Sequence, residues 1–286
     1  MAASAKATRI ISLLNQKGGV GKTTTTVNIG AAMARAGRRV LLIDLDPQSN
    51  LSLHFGVEDD PDQPGALHLF TDPALAIGKT IRRARTGLDF IPATTQMALV
   101  EGDFANREGM QTILKDRLAP VLRKYDAVLI DCPPSLGVLS VNALVASHEV
   151  YVPMQAHYLA LRGLEKLLET VQMVAAGLNP TLQVGGVILC MHESQSGHSK
   201  AVVAEMEQHF ESFRGGDTPW SAARVMRPAI RRNIKLAEAP SFGQTIFDYA
   251  PDCAGAADYE ALALALMAAA SPAPAASAPA AAIAPS

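Results

Sequence analysis

Lys17-Gly18-Gly19-Val20-Gly21-Lys22-Thr23-Thr24 follows the apolar run Ile10-Ile11-Ser12-Leu13-Leu14, with two residues between them. In the phosphate-cradling pattern G-x-x-x-x-G-K-[ST], Gly21, Lys22 and Thr23 fill the last three positions. The leading glycine is absent, and Lys17 adds a second cation to the loop. A glycine-rich turn between strand and helix presents backbone N–H groups to a polyphosphate, and the helix N-terminus adds its positive dipole end. In that geometry Lys22 lies along the β- and γ-phosphates, and the Thr23 hydroxyl is a magnesium ligand. Downstream, Val27, Ala31 and Ala34 share one helical face and Ile29 and Met33 another, so this helix is expected to be buried on more than one side. Strand, loop and helix arrive in the order a phosphate site requires.

The pattern repeats along the chain. Short apolar runs occur at Val40–Ile43, Leu88–Ile91, Ala127–Ile130, Glu149–Val152, Gly186–Cys190 and, less clearly, Ala223–Met226. Helical periodicity fills the gaps; Leu161, Leu164, Leu168 and Val171 form one face, with Arg162, Glu165, Lys166 and Glu169 opposite. Apolar runs without polar alternation indicate strands covered on both sides. The expected fold is therefore α/β, a mostly parallel central sheet with helices on both faces. Ligands in such sheets bind at the carboxyl ends of the strands.

Composition narrows the function classes. At 286 residues and 49% hydrophobic, one large domain is expected over residues 9–267. A net charge of −2 gives no global attraction to a polyanion, so any nucleic-acid contact must come from a local patch. Cys132, Cys190 and Cys253 form no CxxC pair, which suggests a reducing compartment, and the seven histidines show no metal-ligand spacing; His192 and His198 are expected to face solvent. Residues 1–8 read as a disordered N-terminus without a signal peptide, and the uncharged Ala/Pro/Ser stretch 268–286 as a disordered tail with neither face of a membrane-binding helix.

Three carboxylates follow apolar strands. Asp44 and Asp46 come just after Leu41-Leu42-Ile43, and Asp131 after Val128-Leu129-Ile130, where the strand order places a Walker B carboxylate. A carboxylate there holds magnesium directly or through water, and another near the γ-phosphate orients the attacking water.

With these residues in place, the chain resembles the ParA family of partition ATPases, P-loop NTPases with a deviant Walker A loop. The resemblance rests on the Lys17–Thr24 loop, Asp44-Leu45-Asp46-Pro47-Gln48, Asp131-Cys132-Pro133-Pro134-Ser135-Leu136 and Arg232-Asn233-Ile234-Lys235-Leu236-Ala237-Glu238-Ala239-Pro240-Ser241. It covers about Arg9 to Met267. It implies ATP and Mg²⁺ as ligands, with residues 17–24 and Asn233 around the nucleotide. It also implies an ATP-dependent homodimer in which Lys17 reaches the partner's nucleotide, Asp46 positions the hydrolytic water, and Asp44 and Asp131 support the magnesium site. Family members are slow ATPases stimulated by a ParB-type partner or cargo adaptor. They bind double-stranded DNA without sequence preference, and are cytoplasmic and nucleoid-associated rather than membrane-bound.

Independently, Arg224, Arg227, Arg231, Arg232 and Lys235 fall within twelve positions, with no acidic residue from Ser221 until Glu238. Such a run suits phosphate contacts, and Lys200 is a further candidate. Relative to the family, Arg231 stands where proline is usual, Gln195 replaces a common basic residue, and residues 214–229 read as a lengthened loop around Gly215, Gly216, Pro219 and Trp220. No helix-turn-helix segment precedes the first strand, so transcriptional self-repression is not expected. Competing readings are the same ATP cycle positioning a protein cluster or organelle cargo on the nucleoid, a Min-type membrane-cycling ATPase, an iron–sulfur electron donor of the nitrogenase-reductase type, and a non-enzymatic scaffold.

Overall fold

The computed structural model describes residues 7–60, 62–102, 107–157, 160–193 and 197–269. Its strands are β1 (Arg9–Leu13), β2 (Val40–Asp44), β3 (Arg82–Arg85), β4 (Leu88–Ile91), β5 (Ala127–Asp131), β6 (Glu149–Met154), β7 (Gln183–Leu189) and β8 (Arg224–Val225). The helices begin with α1 (Lys22–Arg35), α2 (Asn50–His54), α3 (Ala66–Thr71), α4 (Met97–Gly102) and α5 (Ile113–Leu118). They continue with α6 (Val138–Ala146), α7 (Ala160–Gly177), α8 (Gly197–Ser212), α9 (Lys235–Glu238), α10 (Ile246–Tyr249) and α11 (Ala254–Ala268).

The eight strands form one sheet in the order β3-β4-β2-β5-β1-β6-β7-β8, parallel throughout except for the β3/β4 edge pair. β1, β2, β5 and β6 are buried at every position, which is why their sequences are continuous rather than alternating. One side packs Ile43, Ile130, Leu144 and Leu168 under α3 to α8; the other packs Leu42, Leu129, Met33 and Leu262 under α1 and α11. Each such side chain contributes about 1.5–3 kcal/mol through burial. At Gly30 of α1 an added Cβ would sit 2.6 Å from Leu42 Cδ2, so a larger residue there would force the Leu42 side chain to move.

The register places the acidic positions side by side: Asp44 pairs with Asp131, and Leu13 with Asp131, at the carboxyl ends of adjacent strands. Helix α7 buries Leu164, Leu168 and Val171 as its periodicity requires.

Four features differ from the sequence reading. The charged strand β3, Arg-Arg-Ala-Arg, was not anticipated, because an edge strand needs no apolar run. Thr8, grouped with the disordered start, donates its hydroxyl to the carbonyls of Leu122 and Tyr125 at 2.7 and 2.8 Å. His192 is half-buried rather than solvent-facing: its backbone N–H donates to Ile230 O, and its ring lies 3.3 Å from Ser199 Oγ. Residues 214–229 pack on the sheet edge, with Trp220 edge-on to Phe213 and Pro219 O accepting from Val184 N–H at 2.7 Å. Gln195, the His198 side chain and most of the expected tail lie outside the described residues.

Candidate nucleotide site

The loop between β1 and α1 turns through two glycines with positive φ, Gly19 at +70° and Gly21 at +95°. An L side chain at either position would be strained. A Cβ added to Gly18 or Gly19 would meet nothing within 4 Å, so that side of the loop is open. The loop is pinned from behind: Asn15 Oδ1 accepts from Lys17 N–H at 3.0 Å while Asn15 Nδ2 donates to Pro153 O, and Gln155 Nε2 donates to Gly19 O at 3.3 Å.

A cleft of about 680 Å³ opens above the loop, lined by Gly19, Lys22, Thr23, Asp46, Leu236 and Pro240 among others. The two loop lysines diverge. Lys22 is buried and lines this cleft; Lys17 is exposed and lines a small separate pocket with Gln155 and His157. Among the described residues neither lysine has an ion-pair partner within 4 Å, although the charge of Lys22 acts on Asp46 and Asp131. A buried ammonium held off from every carboxylate and facing an open cleft is placed to meet an anion.

The carboxylates divide the work. Asp131 accepts from the Thr23 hydroxyl at 2.6 Å and from the Thr26 hydroxyl at 3.3 Å, which ties the end of β5 to the first turn of α1. Burial pushes the Asp131 carboxyl above its ordinary range, and Thr23 and Lys22 oppose that shift. Asp44 is also pushed up, by burial first and then by the charge of Asp131. Its oxygens are already engaged: Oδ1 accepts from Asp46 N–H at 3.1 Å, and Oδ2 from Ser52 N–H at 3.0 Å and Ser52 Oγ–H at 2.7 Å. Asp44 therefore holds the Asp46 loop in shape. Asp46 lines the cleft itself, with Oδ1 accepting from Gln48 N–H at 3.0 Å; burial raises its proton affinity against the pull of Gln48 and Lys22. Cys132, next to Asp131, is fully buried, and burial pushes its thiol up, which disfavours the thiolate that a metal cluster needs.

The far wall is the segment around α9. Asn233 lines a smaller cavity of about 140 Å³ that shares Gly21, Thr24 and Leu236 with the surroundings of the loop, and its Oδ1 accepts from Lys235 N–H at 3.0 Å. Sequence reasoning missed His54. Its Nε2 lies 2.7 Å from Gln244 O and, with only 2% of the residue exposed, joins the Asp46-bearing segment to this far wall. No local pattern in the sequence marks it, because its partner lies 190 positions away.

The basic run is brought to the surface but not left bare. Arg227 pairs with Glu207 at 2.7 Å, Arg231 with Asp258 at 2.6 Å, Arg232 with Glu193 at 3.1 Å and Lys235 with Glu238 at 2.9 Å. Arg224 and Lys200 are exposed, and no ion-pair partner lies within 4 Å of either among the described residues. Three of the four acidic partners come from α8, α11 and the β7–α8 connection, which is why the sequence run looked unopposed; Glu238 is local, at the end of α9.

A family model described as an AAA domain matches residues 8–184. The sporulation initiation inhibitor protein Soj of Bacillus subtilis is 40% identical over 255 residues, covering 89% of this chain and 96% of Soj. The chromosome partitioning protein ParA of Caulobacter vibrioides is 38% identical over 262 residues, covering 91% and 94%. A solved structure of a Mycobacterium smegmatis protein named cobyrinic acid a,c-diamide synthase, with bound ADP and magnesium, has a TM-score of 0.76 at 35% identity and covers 91% of this chain and 94% of that one. Among the described residues no helix is long and apolar enough to cross a membrane. Loop, carboxylates and relatives agree: the chain belongs to the ParA family of partition ATPases.

Proposed function

We propose that this chain is a slow ATP hydrolase that closes into a homodimer around two ATP molecules, and that this dimer binds DNA without sequence preference. A ParB-type partner then stimulates hydrolysis and releases the DNA, so that a DNA cargo is segregated in the cytoplasm, on the nucleoid. The observation that carries the reading is the divergence of the two loop lysines. Lys22 faces the cleft of its own chain and Lys17 does not. A second cation on the phosphate loop that turns away from its own cleft is placed to serve a neighbour's, much as an arginine finger does.

The residues present fit ATP and magnesium. Gly18 and Gly19 leave the loop open for phosphates, Gly21 supplies its positive-φ turn, and the buried Lys22 faces them. The hydroxyl of Thr23 and the carboxylate of Asp131, 2.6 Å apart, form a hard oxygen pair suited to magnesium, with Asp44 in support. Bound magnesium supplies positive charge that offsets the phosphates. Asp46 orients the attacking water at its cleft-facing carboxylate, and its raised proton affinity suits a group that accepts a proton there. Asn233 and the neighbouring wall meet the base. DNA phosphates meet Arg224 and Lys200 directly, and Arg227, Arg231, Arg232 and Lys235 after exchanging their carboxylate partners for phosphate. The test is magnesium-dependent ATP turnover that disappears in Asp46→Ala while nucleotide binding remains. Turnover unchanged in that variant removes the assigned water-positioning role.

A further inference from the structure

Six cations gather at the end of the sheet opposite the nucleotide cleft. Arg38 and Arg39 lead into β2, Arg123 and Lys124 precede β5, and Arg83 and Arg85 lie on β3. Backbone hydrogen bonds hold these segments together: Val40 N–H donates to Gly87 O at 2.8 Å, and Asp126 N–H to Arg39 O at 2.7 Å. Three of the cations are paired, Arg39 with Asp126 at 3.4 Å, Arg83 with Asp89 at 3.3 Å and Arg85 with Asp248. Arg38, Arg123 and Lys124 are exposed, and none has an ion-pair partner within 4 Å among the described residues.

Charges on an edge strand guard it against pairing with another chain, and that accounts for Arg83 and Arg85. It does not account for Arg38, Arg123 and Lys124, which sit on the loop and the 3-10 turn that lead into the central strands β2 and β5. Against six cations the face sets three carboxylates, Asp126, Asp89 and Asp248, with Asp126 also acting on Arg38, so a net excess of three positive charges remains in a chain of net charge −2 and suits an anionic partner. The partner's chemistry follows from what the face lacks. None of the exposed large apolar side chains lies on β3 or in these two loops. A protein interface is built around buried apolar or aromatic anchors, whereas a nucleic-acid backbone is held by cations and polar groups alone.

We propose that this end of the sheet is a second docking face for the phosphate backbone of duplex DNA, with Arg38, Arg123 and Lys124 as its contacts. It rests on the DNA-binding part of the proposed function and adds a surface remote from Arg224–Lys235. Two basic faces at different places on one molecule let it touch two duplex segments at once.

The experiment compares the full chain with the triple variant Arg38→Gln/Arg123→Gln/Lys124→Gln, each with ATP and magnesium, on a random duplex of about 60 base pairs. Each phosphate contact contributes about 0.9 to the slope of log affinity against log salt, so losing three lowers the slope by about 2.7 per bound protomer. The advantage of the wild type over the variant then shrinks about 40-fold between about 50 and 200 mM salt. ATP turnover without DNA stays equal, which shows that the variant is folded. Parallel salt lines overturn the proposal. A polyglutamate of matched charge is the second probe: if only its binding falls in the variant, the face takes an acidic polypeptide and the proposal fails. A wild type that retains no duplex overturns this proposal together with the DNA-binding part of the function, whereas parallel lines leave that part standing.

Discussion

His54 offers the sharpest test of how the cleft is held together. Its Nε2 donates to Gln244 O at 2.7 Å from a nearly water-free position, and its ring centroid lies 5.4 Å from that of Phe55. Burial lowers the proton affinity of the imidazole; the Gln244 carbonyl opposes this shift, and the charge of Arg85 adds to it. The folded protein therefore keeps His54 neutral at pH values where the unfolded chain, with an ordinary pKa near ~6.5, has taken up a proton. The stability that depends on neutral His54 is fully present above about pH 6.5 and is lost as the pH falls. In His54→Gln the amide Nε2 can still donate to Gln244 O, but nothing titrates.

The expected magnitude follows from linkage. It sets the sign and the ceiling: over the pH range in which only the unfolded state holds the proton, wild type loses at most about 1.36 kcal/mol per pH unit, and the variant gains on it as the pH falls below about 6.5. Any loss of ring packing shifts the whole curve by a constant. His148 and His192 are also lowered, chiefly by burial, but they are common to both proteins and cancel in the difference. Urea unfolding at several pH values between about 5 and 8 reads this out. Identical acid limbs for wild type and His54→Gln would falsify the placement of this ring. His54→Leu, by contrast, leaves the Gln244 carbonyl without its donor and should cost about 1–3 kcal/mol at every pH.

Three further substitutions probe the site. Lys22→Ala removes the buried phosphate-facing cation and should abolish ATP binding in calorimetry while leaving a folded protein; retained affinity would move the phosphate site elsewhere. Gly21→Ala forces an L residue to the +95° φ of this turn, at a cost of about 1–2 kcal/mol, and should lower both the melting temperature and nucleotide affinity. Arg224→Glu combined with Lys200→Glu should weaken duplex retention and flatten its salt dependence without changing ATP turnover. Reversing Arg231 is a poorer probe, because it sets a glutamate against Asp258 and tests folding instead.

Much of this arrangement can be read in the residues because its causes are local. β1, β2, β5 and β6 announce themselves as apolar runs since both sides are covered, and the glycines of the phosphate loop answer to a backbone conformation that other residues resist. The pairing of Asp44 with Asp131 follows once those strands are neighbours. What stayed hidden depends on distant segments meeting. β3 has no apolar signature, because as an edge strand it takes its pairing from β4 alone. The Arg224–Lys235 run looked unopposed because Glu193, Glu207 and Asp258 arrive from other elements. Asp44 could be ranked as a metal-supporting carboxylate, but its engagement by Ser52 and the Asp46 backbone appears only when α2 folds back over β2.

The most direct measurement of the central claim is the mass in solution of Asp46→Ala with ATP and magnesium, by light scattering, beside the double variant Asp46→Ala/Lys17→Ala. If Lys17 reaches a neighbour's phosphates, the first doubles in mass when ATP is added, and the second binds ATP but remains a monomer. A first variant that stays a monomer, or a second that dimerises as readily, contradicts the account.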